Sequence, residues 1–513
     1  MTYVSSIGKV MAFKEETTEG TLLEPDAGSQ FSALRSGAGM SQNVDQVEND
    51  ELTGSRSPGG SLPGKENNTG NLPKYLKGSG SAAAPDWAVL LKSMLGGQTD
   101  NATEYDTVAS STAGDDDTRA ISKVDSGEGT NFAKGHALLH RATPYQIRNV
   151  RSISSDDLSL NFNRDSAPAS GVNLGRSVLF YPTAEPSTFF SAWEYQKKSS
   201  AKYRQAIAGC RITSAQFTFA ANGLAQVALQ FRGTKGYWNP IKITSSNKYL
   251  DMTDDGGTIA ATLTEGWYNP VELAAHITAK ATEASVGSGD DTITCTYDSA
   301  TGKYNISSNG TTFELLWNTG TNSANSVGAT IGFAVAADDD SATGYTGDNA
   351  ITYSVPVTPS YDDVNPFFLK DQELLLGTFG KYSNRNCREL TITVESQFND
   401  VEDLTAETGI GGLAAGPLTV SFSAVLHLQQ HESDFHNWLK QATELEFMFN
   451  CGNKDSSRNW KDGETWNFYI PRTILTGVEL GETNNIIEYT VGGRAAVPDS
   501  DYEAIYINHL GWS

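Results

Sequence analysis

The chain has 513 residues, 38% of them hydrophobic and 19% charged, so it is globular and long enough for roughly three domains with cores of their own. It carries 49 glycines and many Ser, Thr and Asn, a composition that favours strands and turns over long helices and makes a mainly β fold the expectation. With 37 Lys and Arg against 61 Asp and Glu the formal charge is −24, and no basic tail or basic helix offsets it, which argues against sequence reading or wrapping of nucleic acid.

Such a charge keeps an abundant protein soluble, and it would equally let DNA pass through an acidic channel without sticking. Cys210, Cys295, Cys387 and Cys451 lie far apart with no CxxC pair, so they read as buried or neutral thiols in a reducing compartment. Met1 to Phe13 lacks the apolar stretch of a signal peptide, and no run of 18 apolar residues occurs. A chain made in a cytoplasm and not exported by a signal peptide, with no membrane span, is expected.

In chain order, Lys9 to Lys14 is strand-like and leads into Glu15, Glu16 and Glu19. From about Glu48 to Ala84 runs a polar stretch rich in Gly and Pro, including Pro58, Gly59, Gly60, Pro63, Gly64, Lys65 and Pro73. It reads as a long loop, floppy in a monomer, or as an arm or hairpin that orders against a neighbour. Pro85 to Leu95 places Trp87, Leu90, Leu91, Met94 and Leu95 at helical spacing before a Gly96-Gly97 stop. Trp87 should anchor this helix to a sheet.

Short strands follow at Phe132 to His140, Gln146 to Ile153, Leu158 to Phe162 and Arg176 to Tyr181. Arg211 to Phe219 and Leu224 to Phe231 form a hairpin turning at Asn222-Gly223, although the alternation of Ile212, Phe217 and Phe219 is imperfect. Residues 240–360 change texture and read as an α+β insert. Asn269-Pro270 caps a helix with Val271, Leu273, Ala274 and Ile277 on one face. Strands at Thr292 to Tyr297, Tyr304 to Ser307 and Thr311 to Leu316 follow it, and Asp338 to Asp340 looks solvated.

In the C-terminal part, Glu389 to Ser396 and Leu418 to Leu428 read as strands around an irregular Gly-rich loop. A helix at about Glu432 to Thr443 presents Phe435, Trp438, Leu439 and Ala442, with Trp438 as its anchor in the role of Trp87. Strands at Leu445 to Phe449, Thr465 to Ile470, Ile474 to Leu480 and Ile486 to Val491 complete the unit. The order of elements echoes that around the first helix. The expected organisation is an N-terminal β-domain 1–239, an insert 240–360 and a C-terminal β-domain 361–513, the two β-domains being copies.

Motifs for chemistry fail on spacing. Gly59 to Glu66 outlines a phosphate loop, but Glu66 stands where Ser or Thr must bind the metal and no strand precedes it. His431, Glu432 and His436 miss the four-residue spacing of a zinc helix, and His427 with His431, or His136 with His140, fit surface or capping roles better. Asp115, Asp116 and Asp117 lack the alternation of a calcium loop. No nucleophile elbow occurs. Neither catalytic residues, nor a cofactor, nor a metal site is expected.

The opening Lys9 to Thr21, the stretch Leu72 to Gly80, and Pro85 to Gly97 resemble the first half of major tail tube proteins of long-tailed, siphovirus-type bacteriophages. The C-terminal succession of strands and Trp-bearing helix, with Trp466 to Arg472, is similar to the tube-domain fold. The insert, around Gly266 to Pro270 and Ser326 to Phe333, resembles a small module of phage virion proteins. The resemblance implies a β-sandwich or half-barrel with a flanking helix, whose sheets join between subunits into rings that stack into a tube for genome passage. Rings would hold six chains, or three if the tube domain is duplicated.

By the same resemblance the partners are the chain itself, the tape measure protein and tail terminator or distal tail proteins, with DNA passing unbound and no membrane involved. The site would be the virion tail, assembled in the host cytoplasm, with the insert on the tube exterior. Asp115, Asp116, Asp117, Glu395, Asp400 and Glu402 are the acidic residues expected to face the lumen, and the stretch with Gly59, Gly60, Gly64 and Lys65 is expected to bridge rings. A tail-associated carbohydrate-binding adhesin, favoured by 9 Trp and 20 Tyr, and a head decoration protein are the competing readings.

Overall fold

The structure is a computed structural model that describes residues 8–49, 60–100, 104–108, 120–142, 144–165, 170–197, 200–201, 203–340, 342–378, 381–428, 434–496 and 502–512. Asp115, Asp116, Asp117, Gly59 and His431 lie outside the described residues. The fold is mainly β, as expected. The chain divides into two compact units, one of residues 12–191, 208–234 and 359–513 and the other of residues 1–11, 192–207 and 235–358. Segments from both expected β-domains therefore share the first unit.

That unit is built on one antiparallel sheet of eight strands: β1 (Gly39–Glu48), β2 (Ser61–Tyr75), β3 (Arg204–Ala220), β4 (Gln226–Gly233), β5 (Cys387–Glu402), β6 (Ile410–His427), β7 (Trp460–Thr483) and β8 (Ile486–Ala495). Their spatial order is β1-β2-β4-β3-β5-β6-β8-β7. Two expectations of loop are narrowed here. Of the Gly/Pro-rich stretch, Ser61–Tyr75 is strand: β1 and β2 pair from Gly39↔Asn71 to Glu48↔Ser61 as a hairpin, the alternative to a loop. The irregular loop between the first two C-terminal strands is likewise strand, since β5 and β6 stay paired out to Glu402↔Ile410. Ladder hydrogen bonds satisfy the backbone of these glycine-rich segments, which side-chain alternation alone does not reveal.

One face of the sheet is apolar. Phe217 meets Phe468 with centroids 4.9 Å apart, Phe219 meets Phe449 at 4.7 Å and Phe422 stacks on Phe447 at 4.5 Å. Those partners belong to a second layer in the order Lys381–Asn384, Glu373–Thr378, Leu445–Lys454, the first half of β7, Tyr506–Gly511, Asn173–Pro182 and Gly96–Asp100. β7 serves both layers and crosses at Pro471, where the ladder shifts register between Ile470 and Thr473. Proline has no N–H to give a ladder, so a bulge is its natural place. The strand Tyr506–Gly511, absent from the sequence expectation, joins the N- and C-terminal segments within this layer.

On the face of the second layer turned away from the eight-stranded sheet, against the strand Gln146–Ser154, lies an amide network. Asn149 Nδ2 donates to Asn467 Oδ1 at 2.7 Å, Asn467 Nδ2 to Asn450 Oδ1 at 2.7 Å, and Asn508 Nδ2 to Asn467 Oδ1 at 3.1 Å. A buried network of this kind favours one pairing of the strands over near alternatives. The second unit is a small α+β body around helix α2 (Pro270–Ser285), capped by Asn269 with Glu272. Leu273, Ala274, Ile277 and Ala281 face its core, whereas Val271, expected on that face, is 68% exposed. Asp338 and Asp339 are not merely solvated: Asp338 Oδ1 accepts the Asn318 N–H at 2.6 Å and Asp339 Oδ2 accepts the Trp317 indole N–H at 2.9 Å.

Candidate assembly interface

The eight-stranded sheet is the same four-stranded unit written twice. In each copy two strands form a hairpin, a helix follows, and a later hairpin adds its second strand to the first hairpin: β1-β2-β4-β3 with α1 (Ala88–Leu95), then β5-β6-β8-β7 with α3 (Asp434–Gln441). The copies match in their irregularities. The β1/β2 ladder slips between Val44 and Gln46, passing over Asp45 on one strand and Gly64-Lys65 on the other. The β5/β6 ladder slips between Ser396 and Phe398, passing over Gln397 and Gly416-Pro417. β3 bulges at Thr213 between Ile212 and Ser214, and β7 bulges at Thr476 between Leu475 and Gly477.

The bulge at Thr213 explains the imperfect alternation: one extra residue flips the phase, so Ile212 and Phe217 point to the same face. A glycine–phenylalanine pair marks the same row of each copy, with the strands exchanged. A Cβ on Gly70 would lie 2.0 Å from the ring of Phe231, and one on Gly493 2.3 Å from the ring of Phe422. The ring covers the glycine on the neighbouring strand in both cases.

The copies meet where β3 pairs β5, with Ser214 opposite Glu395, Phe217 opposite Ile392 and Ala220 opposite Glu389. The face away from the core is polar and mostly uncharged. One row runs Tyr75, Gln226, Thr218, Thr391, Ser423, Gly492 and the next Pro73, Ala228, Gln216, Thr393, Ser421, Arg494. A trough of about 880 Å³ opens on this face, lined by Ser41, Asn71, Gln230, Glu395, Gln397 and Asn399 among others.

Of the expected acidic residues, Glu395 lies on this polar face and is exposed. Asp400 is not free: its side chain is 8% exposed and binds Arg232 at 2.6 Å and Lys65 at 2.9 Å, while Glu402 lies 3.4 Å from the same Lys65. Lys65 and Gly64 therefore sit on a hairpin tied to the tip of β5, with Gly60 just ahead of β2. Trp87 is buried under Lys74 and beside Trp466, 5.2 Å away. Trp438 is only half-buried; in α3 the buried side chain is Phe435, set against Tyr489 at 5.6 Å, because the helix turns that residue inward.

His136 and His140 are buried rather than at the surface. His136 Nδ1 accepts the Ala133 N–H at 2.9 Å, His140 Nε2 lies 2.6 Å from Ser122 Oγ, and burial pushes both pKa values down, that of His136 to about 4. Among the described residues no group of three or more metal-ligating side chains occurs, and no helix is long and apolar enough to cross a membrane. The signals that sequence reasoning missed are short: Ile212-Thr213-Ser214-Ala215-Gln216 against Leu475-Thr476-Gly477-Val478-Glu479, and the exchanged Gly–Phe pairs.

Residues 7–237 match the family model described as phage tail tube protein. A chain from the virion of a native gene transfer agent particle is 14% identical over 27% of this chain and 95% of its own, with a TM-score of 0.19. A chain of the SPP1 tail tube, solved by solid-state NMR and cryo-EM, is 11% identical over 29% of this chain and 81% of its own, with a TM-score of 0.21. None of the curated proteins matches.

Proposed function

We propose, from the match of residues 7–237 to the family model described as phage tail tube protein, that the chain is the repeating subunit of a tail tube: a structural, non-catalytic protein whose copies close into rings that stack around a channel for DNA. The observation that carries this reading is the doubled four-stranded unit with matched bulges. A sheet that already repeats its unit within one chain is suited to continue that repeat into the next chain, and ring closure removes the open edges that would otherwise aggregate.

Because each chain supplies two copies, three chains supply the six units of a ring. The polar face with Glu395 lines the channel in this reading, with Glu402 and Asp115 to Asp117 as further acidic groups, while Asp400 is neutralised by Arg232 and Lys65. The β1/β2 hairpin, with Gly60, Gly64 and Lys65, reaches toward the next ring. Val47 and Leu62 near its tip are 57% and 63% exposed, and Leu404 at the tip of β5/β6 is fully exposed, an apolar set suited to such a contact. The insert lies outside the tube, and a tape measure protein and the proteins that cap the tube ends are the remaining partners, in the virion tail assembled in the host cytoplasm.

The test is the mass of one ring. Three chains of 55.1 kDa give about 165 kDa and six about 330 kDa. Rings or rods in negative stain with the three-chain mass support the reading. Discrete particles that bind glycans favour the adhesin, and particles that neither ring nor bind glycans favour a head decoration protein.

A further inference from the structure

We infer that Lys74 and Asp86 become covalently joined: Lys74 Nζ and Asp86 Cγ form an isopeptide amide that staples the end of β2 to the entry of α1. The reaction is a single self-modification, independent of assembly, and closes residues 74–86 into a loop. It gives a staple to a chain whose four cysteines are all unpaired. The bond is added to a fold that packing already holds, so mass rather than stability reads it.

Lys74 is the only lysine buried among the described residues; its side chain is 3% exposed and that of Asp86 beside it 7%. Its Nζ lies 3.4 Å from Asp86 Oδ1, one bond from the carbon to be attacked. Holding two such groups together in a fold is equivalent to an effective concentration of roughly 10⁵ M or more when they are well oriented. Lys74 Nζ donates to Ser32 Oγ at 2.8 Å, Ser32 Oγ lies 3.3 Å from Asp86 Oδ1, and the Trp87 ring, 4.6 Å away, covers the amine. The second copy of the sheet carries buried Leu426 at the matching place, so the strand itself needs no amine there. Arginine in the other buried pairs cannot react in this way, because its guanidinium keeps its proton.

In water such a pair stays ionised, and an ammonium is no nucleophile. Burial penalises both charges, lowers the Lys74 pKa to about 8 and favours passage of a proton from the ammonium to the Asp86 carboxylate. The neutral amine then attacks Cγ: the N–C bond forms, the bond from Cγ to the protonated oxygen breaks, and one water leaves without any oxidant or cofactor. Asp362 is placed to carry the proton. Its Oδ2 accepts the Asp86 backbone N–H at 2.9 Å, and burial, together with the neighbouring Asp86 charge, raises its pKa. It takes a proton from the attacking nitrogen and returns one to the departing hydroxyl. A pocket of about 300 Å³, lined by Pro85, Asp86 and Asp362 among others, gives the water a way out.

The experiment is mass spectrometry of the purified full chain after denaturation and digestion with trypsin. The expected product is one branched peptide, residues 66–77 joined to residues 78–92, lighter by one water than the two sequences together and uncut after Lys74. Lys74→Arg should give linear peptides only. Asp362→Asn keeps the pair but removes the proton carrier, and should slow formation of the branched product by roughly 100-fold in freshly made protein. Linear peptides ending at Lys74 from the unmodified chain, with no branched product, overturn the bond and leave an ordinary buried ion pair, whatever the chain's state of assembly. A branched product that forms as fast in Asp362→Asn overturns the role given to Asp362 and keeps the bond.

Discussion

Lys74 is the residue where the two copies of the sheet disagree most in chemistry. It occupies a core-facing position opposite Val227, and its counterpart in the second copy is Leu426, buried like it. Lys74 Nζ donates to Ser32 Oγ at 2.8 Å, lies 3.4 Å from Asp86 Oδ1 and sits 4.6 Å above the Trp87 ring. Burial lowers its pKa to about 8, with Asp86 opposing that shift. The second copy builds the same sheet with leucine, so the fold does not demand the ion pair. Breaking one partner strands a buried charge, and Asp86→Ala should therefore cost about 3–5 kcal/mol. Replacing both, as Lys74→Met with Asp86→Leu, should restore most of that stability. Chemical denaturation of the three proteins decides the point: a double variant as unstable as Asp86→Ala would mean that the pair is a structural requirement of this copy.

At the scale of elements, the exchanged Gly–Phe pairs make a sharper test of the repeat. Phe422 is held from behind by Phe447 at 4.5 Å, so its ring cannot swing away from a Cβ placed on Gly493. Gly493→Ala should cost about 1–3 kcal/mol by overpacking, and adding Phe422→Leu should recover part of it. Equal stability of the single variant and the parent in urea would show that the row tolerates a side chain and that the pairing is incidental.

The strands themselves were largely legible: the Asn222-Gly223 turn, the capped helix after Asn269 and the strands around Ile392 and Phe468 all follow from alternation and turn residues. The glycine-rich halves of the two long hairpins were not, because Gly64, Gly412 and Gly416 carry no alternating side chain while their backbone still completes a ladder. The anchor of α3 went to Trp438 rather than Phe435 for a related reason. Size marks a candidate, but the helix phase decides which residue faces the sheet. The polar face was hidden too, since its rows assemble from strands more than 400 residues apart in the chain, as Tyr75 and Gly492 show.

At the scale of the molecule, the charge of −24 and the proposed channel are separate matters. The central rows of the polar face hold hydroxyl and amide side chains, with Arg494 at one margin and Glu389 and Glu395 among the nearest acids. Such a surface offers DNA neither a row of cations to bind nor a dense row of anions to climb past. In the proposed channel, slippage would follow from the lack of lysine at these positions rather than from the excess of acid elsewhere. Gln216→Lys with Thr393→Lys puts two ammonium groups side by side at the internal joint without touching the core face. Tubes of this variant should form as readily as the parent and should retain short DNA duplexes at low salt. Each phosphate neutralised should steepen the salt dependence by roughly one unit of slope. Duplex held inside a tube is shielded from nuclease, and duplex held outside is digested. Retention with protection assigns the face to the channel; retention without protection, or none beyond the parent's, removes that face from the lumen and leaves the channel to another surface.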